Sequence, residues 1–307
     1  MKTILLFGSS GFIGKNLLHF LKIENYKIYN PNSKNVNLLN FNSLDKYLGK
    51  LPKIDLIINS AAKIGGLGYM IDEPEKIFVE NSQIIVNLVR ATKKYKIENY
   101  LALGSACSYP DNTKKLMIEK NFWNGRINNK IEPYGMIKKF ELAGLNSMKL
   151  KYQKFNYFYP ILANVYGPGD NFDPNHSHVL GALITKFVEA KKLNYKKVSI
   201  WGAGLAIRDF VFIDDVSKLI CKILKNDNFK NKIVNITSGE KVTIKQLVNL
   251  IKKITKFDGK IEWDKSKPEG IKFKALSDKK MKYYKLNSSV NLVNGIKKTV
   301  NWYLKKY

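Results

Sequence analysis

The sequence is poor in the residues that staple or metallate a protein. Its 307 residues include two cysteines, Cys107 and Cys221, and three histidines, His19, His176 and His178. Two cysteines give no disulfide framework, which fits a reducing cytoplasm. No C-x-x-C or H-x-x-x-H spacing occurs, so no metal site is expected. Long apolar runs are missing as well. None approaches the ~20 residues that span a bilayer, so no membrane association is expected. The apolar run at the N-terminus is too short for a signal peptide and lacks a small-residue cleavage site. Arginine is the third scarcity. The chain carries 53 basic residues against 25 acidic ones, a net charge of +28, yet only Arg90, Arg126 and Arg208 are arginines. Bidentate phosphate and base contacts favour arginine. Lysines spread along the whole chain therefore read as a solvated surface, and nucleic-acid binding is not expected. That charge should still draw in a doubly anionic nucleotide. The length allows a large core, as one big domain or two coupled ones.

What is present starts at residue 2. Lys2 to Phe7 is an apolar run of strand length, followed at once by Gly8-Ser-Ser10-Gly11-Phe12-Ile13-Gly14 and a helix-like segment, Lys15 to Lys22. A strand, a glycine turn and a helix N-terminus together make a pyrophosphate site, because glycines permit close backbone approach and the helix end favours an anion. The spacing is G-x-x-G-x-x-G. Tyr26–Tyr29 fits the second strand, which in many NAD enzymes ends on a carboxylate that bonds the ribose 2′-OH. Here it runs into Asn30-Pro-Asn-Ser-Lys34 with no acid. A 2′-phosphate is tolerated there, so NADPH/NADP+ is the expected cofactor.

Farther along, Gly104-Ser105-Ala106-Cys107-Ser-Tyr-Pro110 precedes Tyr134-Gly-Met-Ile-Lys138. The second motif sets a phenol and an ammonium four residues apart, on one helical face. A cation beside the phenol is expected to lower its pKa from ~10. With Ser105 from a neighbouring strand end, the set can pass a proton to or from a carbonyl oxygen while hydride moves at the carbon.

The first half alternates strand-like runs (Ile4–Phe7, Ile54–Asn59, Tyr100–Gly104) with helical periodicity such as Ile77–Tyr95. This is the rhythm of a doubly wound parallel α/β sheet. After Ile161 the texture changes: 164–174 is a Gly, Pro, Asn and Asp-rich loop, and such loops are often functional. Val179–Ala190 reads as helix, and Val198–Trp201 and Phe210–Ile213 as short strands. From Thr243 onward, short helices and Lys-rich loops are expected. The expected division is a Rossmann-type NADP-binding domain over 1–165, with segments around 198–235 returning to it, and a mainly substrate-binding domain over 166–307.

These motifs resemble the extended short-chain dehydrogenases/reductases, and within them the GDP-L-fucose synthase branch, over most of the chain. The resemblance rests on GSSGFIG at 8–14, AAKIGG at 61–66, GSACSYP at 104–110 and EPYGMIK at 132–138. It continues in NVYGPGDNFDP at 164–174, SHV at 177–179 and WGAGLAIRDF at 201–210. The resemblance implies that Ser105, Tyr134 and Lys138 are a reductase triad, Cys107 an epimerase base and His178 an epimerase acid. It further implies cofactor contacts at Gly8, Ser10, Gly11, Phe12, Ile13, Gly14, Ala61, Ala62, Lys63, Lys138, Asn164 and His178. Substrate contacts are implied at Ser105, Ala106, Cys107, Asn164, Lys186, Trp201 and Arg208. Two departures stand out: Ala106 replaces a serine, and Ser10 stands where some members carry an arginine for the 2′-phosphate.

The resemblance thus implies an NADPH-dependent 3,5-epimerase/4-reductase of a GDP-linked 4-keto-6-deoxy sugar, cytoplasmic and homodimeric. The chemistry is consistent. Protons on C3 and C5 of a 4-ketosugar are acidic because each carbanion is an enolate of the ketone. Inversion needs a base on one face and an acid on the other, and cysteine and histidine both titrate near neutrality. One alternative is a C4 reductase alone, on a related GDP-4-keto hexose or heptose. A 4,6-dehydratase is disfavoured, since that branch has Asp-Glu where Ala106 and Cys107 stand. A non-catalytic NADP-binding regulator would have no need of the triad. Phe122, Trp123 and Arg126 lie in a connection and are expected among the pocket side chains.

Overall fold

The computed structural model describes residues 2–111, 115–173, 176–267 and 270–307; Pro174, at the end of the loop motif, lies outside them. The chain opens with strand β1 (Thr3–Phe7), helix α1 (Phe12–Ile23), β2 (Lys27–Tyr29), α2 (Phe41–Leu48) and β3 (Leu56–Asn59). It continues through α3 (Leu67–Asp72), α4 (Pro74–Lys94), β4 (Asn99–Ala102), β5 (Gly104–Ser105) and a 3-10 turn at Ala106–Ser108. The middle holds α5 (Glu132–Lys151), β6 (Asn156–Leu162), β7 (Asn164–Tyr166), α6 (Val179–Lys192), β8 (Lys197–Trp201) and β9 (Ile207–Phe212). Then come α7 (Ile213–Leu224), β10 (Lys232–Ile236), β11 (Lys241–Thr243), α8 (Ile244–Thr255) and β12 (Lys260–Asp264). The last elements are β13 (Phe273–Lys274), α9 (Lys279–Tyr283) and α10 (Leu292–Lys306).

The main sheet is parallel, in the order β2-β1-β3-β4-β6-β10, with β5 adding to β6. Helices cover both faces, which is why Leu56–Asn59 is buried at every position instead of alternating. This is the doubly wound α/β fold expected from the sequence. The order reverses between β1 and β3, and such a switch point opens a crevice beyond the strands' C-terminal ends. Both the glycine loop and the 60–66 loop leave from that edge.

A second core gathers Tyr166, Phe172 and the inner faces of α6, α8 and α10. Leu292, Ile296, Val300 and Tyr303 recur at helical spacing and are all buried there. Val198 and Ile200 of β8 belong to this second core, whereas α7 and β10 return to the first. The expected strand Phe210–Ile213 is shifted: β9 starts at Ile207, and Ile213 already opens α7, whose first turn carries Asp214 and Asp215. Acidic side chains there favour a helix start. Beyond Thr243 the chain forms more than short helices and loops. The strands β12 and β13 pair in parallel with β8 and β9. Among the described residues no helix is long and apolar enough to cross a membrane.

Candidate active site

The glycine loop is built for close backbone approach. Gly8 adopts φ +79°, and a Cβ there would lie 2.5 Å from the Ala61 nitrogen. A Cβ on Gly14 would lie 2.1 Å from the Gly8 carbonyl oxygen. Any side chain at either position would push the loop off the 60–61 segment. Gly11 heads α1 without a side-chain cap, so the first turn at Phe12, Ile13 and Gly14 is free of a competing side-chain acceptor. Ser10 is exposed at the loop's tip. Ala61 donates its N–H to Asn59 Oδ1 at 3.1 Å, Ala62 follows it, and the Lys63 peptide is clamped from both sides by Asn81, at 2.9 Å each. Beyond β2, Asn32 Oδ1 accepts from Lys34 N at 2.9 Å, an Asx turn that presents an exposed lysine and no carboxylate. These residues fit a dinucleotide bearing a 2′-phosphate.

Tyr134 and Lys138 stand on the first turns of α5, where Pro133 favours the helix start. The Lys138 ammonium lies 5.8 Å from the centroid of the Tyr134 ring. It also lies 3.5 Å from Glu141 Oε2, with both side chains buried. Glu141 Oε1 accepts from Asn59 Nδ2 at 2.7 Å and from the Tyr100 hydroxyl at 3.2 Å. The Tyr159 hydroxyl donates to the Lys138 carbonyl at 2.6 Å. The Tyr134 phenol is raised above its ordinary value: burial outweighs the downward pull of Lys138, and Cys107 and Glu141 add to the rise. The expectation of a lowered phenol is therefore corrected, because the desolvation that accompanies Lys138 is the larger effect. Lys138 is itself raised. Burial alone would depress it, but Tyr134 and Glu141 reverse the sign.

Ser105 ends β5, and its Oγ accepts from Cys107 N at 3.2 Å, capping the 3-10 turn that buries Ala106 and Cys107. Gly135 packs on this turn, since a Cβ there would lie 2.6 Å from the Cys107 carbonyl oxygen. The triad helix and the cysteine turn are thus one packed unit. Cys107, Asn164, His178, Lys186, Trp201 and Arg208 line a single cavity of about 260 Å³. Ser105, Tyr134 and Lys138 are not part of its wall; Tyr134 meets Cys107 in a small apolar cluster with Met70, Ile127 and Ile131.

The cavity's electrostatics are set by cations. Burial would raise the Cys107 thiol, yet the Lys274 ammonium, the Ser105 hydroxyl and Arg208 hold it below its ordinary value. Lys274 Nζ lies 3.3 Å from Cys107 Sγ. His178 precedes α6 and is open to the cavity while enclosed by protein; burial, aided by Lys274, lowers it to about 4. In the ligand-free protein its imidazole is therefore neutral at pH 7, and not near its titration point as expected. Its segment is tied to the 60–66 loop: Gly66 N donates to His176 O at 2.7 Å, and a Cβ on Gly66 would lie 2.1 Å from Ser177 O. Asn164 Nδ2 donates to Asp209 O at 2.6 Å. Lys186 Nζ donates to Ser199 O at 3.1 Å, lies 5.8 Å from the Trp201 ring centroid, and is lowered by burial. Arg208 Nη1 donates to Ile207 O and Ile271 O at 2.7 and 2.6 Å.

Three expectations about the pocket fail. Phe122 is fully buried against Tyr109 and Tyr159, Trp123 is half exposed beside it, and Arg126 points to solvent, 3.4 Å from Glu132 Oε1. Phe122 joins the first core instead, while Ile127 and Ile131 of the same connection pack beside Cys107. Conversely, Lys274 and Glu141 were invisible as site residues. One is a lysine in a lysine-rich tail; the other resembles a surface carboxylate three residues from a lysine.

The model of the NAD dependent epimerase/dehydratase family matches residues 4–237. A GDP-L-colitose synthase from Yersinia pseudotuberculosis is 33% identical over 301 residues, 98% of this chain and 97% of its own length. A GDP-L-fucose synthase from Azorhizobium caulinodans is 28% identical, covering 99% of this chain and 96% of its own. The crystal structure of a GDP-6-OMe-4-keto-L-xylo-heptose reductase from C. jejuni shares the fold. Its TM-score is 0.90 at 23% identity, covering 100% of this chain and 98% of its own.

Proposed function

Because the chain belongs to the NAD dependent epimerase/dehydratase family, we propose that it is an NADPH-dependent 3,5-epimerase/4-reductase of a GDP-linked 4-keto-6-deoxy sugar. Residues 1–165 serve mainly the cofactor and 166–307 mainly the substrate. The glycine loop, the 61–63 segment and Lys138 hold the dinucleotide, and the acid-free turn after β2 selects NADPH. When bound, NADPH supplies the hydride for C4.

The protein's own groups do the rest. Arg208, Lys186 and Trp201 take the nucleotide diphosphate end, with Arg208 giving planar contacts that lysine cannot. Cys107, as thiolate, takes the proton from C3 and/or C5, and the C–H electron pair moves into the C4 ketone as an enolate. His178 returns a proton on the opposite face. A diphosphate beside Arg208 adds negative charge to the cavity and raises His178 from its ligand-free value, so that it can carry that proton. Tyr134 then protonates O4, with Ser105 bonding the same oxygen and Lys138 favouring the tyrosinate that remains.

One observation supports inversion over reduction alone: a buried thiol, lowered by a cation, shares a cavity wall with a histidine. Carbonyl reduction needs neither group. Cys107→Ser tests this, because an alcohol does not ionise near neutrality. In deuterated solvent the wild-type protein should exchange C3 or C5 hydrogens of the ketosugar without NADPH, and the variant should not. The variant should still oxidise NADPH with a ketosugar that needs no inversion. A wild-type protein that reduces a 4-ketosugar without any exchange is a reductase alone, and this reading falls. The exposed apolar face shared by α4 and α5 is, in the same proposal, where two copies of the chain meet.

A further inference from the structure

Lys274 has no assigned role, and its geometry is unusual. It ends the two-residue strand β13, paired in parallel with β9 so that Lys274 stands opposite Arg208. The strand is anchored on several sides. Arg208 Nη1 holds Ile271 O, Met117 N bonds Ala275 O at 2.9 Å, and Leu276 N bonds the buried Asp209 carboxylate at 2.9 Å. From this fixed base the side chain reaches inward to Cys107 Sγ at 3.3 Å, a contact spanning 167 residues of sequence. A neutral thiol is a weak acceptor, whereas a thiolate is a full negative charge. Burying an ammonium against sulfur is favourable chiefly in the second case.

We propose that Lys274 is a positioning residue that keeps Cys107 in its thiolate form for proton removal from the substrate carbon. The proposal rests on the reading of Cys107 as the epimerase base. Lys274 is not consumed. The thiolate takes the carbon proton, and the resulting thiol must give it to solvent before the next turnover, a loss the adjacent ammonium favours. The other groups around the pair are Ser105 and Tyr134 beside the sulfur, Arg208 on β9, His178 before α6, and Asp209, whose charge opposes that of Lys274. Lys274 places its ammonium against the sulfur, at 3.3 Å.

The test is a titration of Cys107 in the whole protein without substrate. It is read as ultraviolet thiolate absorbance, and subtracting a Cys107→Ser reference removes Cys221. In the wild type the midpoint should fall below the ordinary thiol value of ~8.5. In Lys274→Met it should rise by about one pH unit or more, and Lys274→Arg should keep most of the depression. Where ketosugar exchange is measurable, its acid limb should move by the same amount in Lys274→Met, independently of any change in KM. Should Lys274→Met fail to fold, Lys274→Gln carries the same comparison. Equal midpoints in wild type and variant overturn the proposal. A shifted midpoint with no C3 or C5 exchange overturns the epimerase reading and leaves the coupling of Lys274 to Cys107 standing.

Discussion

At Tyr134 two opposing effects meet, and burial wins. The phenol stays protonated well above neutrality, so the proton that the proposed mechanism delivers to O4 is present throughout the physiological range. In that mechanism it leaves only when an alkoxide develops beside it. Lys138 then favours the tyrosinate, and Glu141, locked by Asn59 and Tyr100, keeps Lys138 charged. Tyr134→Phe should lower ketone reduction by about two to four orders of magnitude, the usual worth of a general acid. NADPH affinity, read by nucleotide fluorescence, should change little. Retention of more than about a tenth of wild-type turnover would remove Tyr134 from the mechanism. The spacing of Tyr134 and Lys138 was legible in the sequence because one helical turn is a local rule. Glu141 was not, because its meaning depends on side chains from β3 and β4 that only the fold brings beneath it.

The same contrast holds among elements. β1, β3 and β4 are apolar runs that fix their own identity, and the glycine turn after β1 announces the switch point. β13 is two residues long, carries no strand pattern of its own and forms because β9 offers it an edge, whereas β12 alternates polar and apolar residues and pairs along β8. Asp209 ties this second region to the first. Its Oδ2 accepts from Thr237 Oγ1 at 2.6 Å and from Leu276 N at 2.9 Å, while burial pushes the carboxyl up to about 6. An unfolded aspartate titrates near ~3.9, so between these values the folded chain binds the proton more tightly. The stabilisation is complete below the unfolded value and is lost as pH rises through about 6. It should amount to on the order of 2–3 kcal/mol. Urea unfolding at a series of pH values should show this loss in the wild type and not in Asp209→Asn. His178, at about 4, acts with the opposite sign and Asp170, raised to about 7 by burial, with the same sign. Both are common to the two proteins, so only the difference in slope counts. Parallel slopes would mean that Asp209 is ionised throughout.

For the molecule as a whole, the surface poses a conflict that the proposed dimer interface would resolve. A net charge of +28 sets copies of the chain against each other. Yet α4 leaves Phe78, Val79 and Val86, and the adjoining α5 leaves Met136 and Phe140, between 44 and 51% exposed. A monomer gains nothing from such a contiguous apolar face, and a two-fold pairing of the helices would bury it against itself. Association driven by apolar burial and opposed by like charge has a distinct salt dependence. Added salt shortens the screening length from ~30 Å at 0.01 M to ~10 Å at 0.1 M, weakening the repulsion and leaving the apolar contact. The protein should therefore sediment as a dimer at micromolar concentration, and more tightly as salt rises. Phe140→Lys combined with Val86→Lys should yield a folded monomer, because both positions already face solvent in the single chain. A wild-type monomer at all salt concentrations, or a dimer that dissociates as salt is added, would place the contact elsewhere or abolish it.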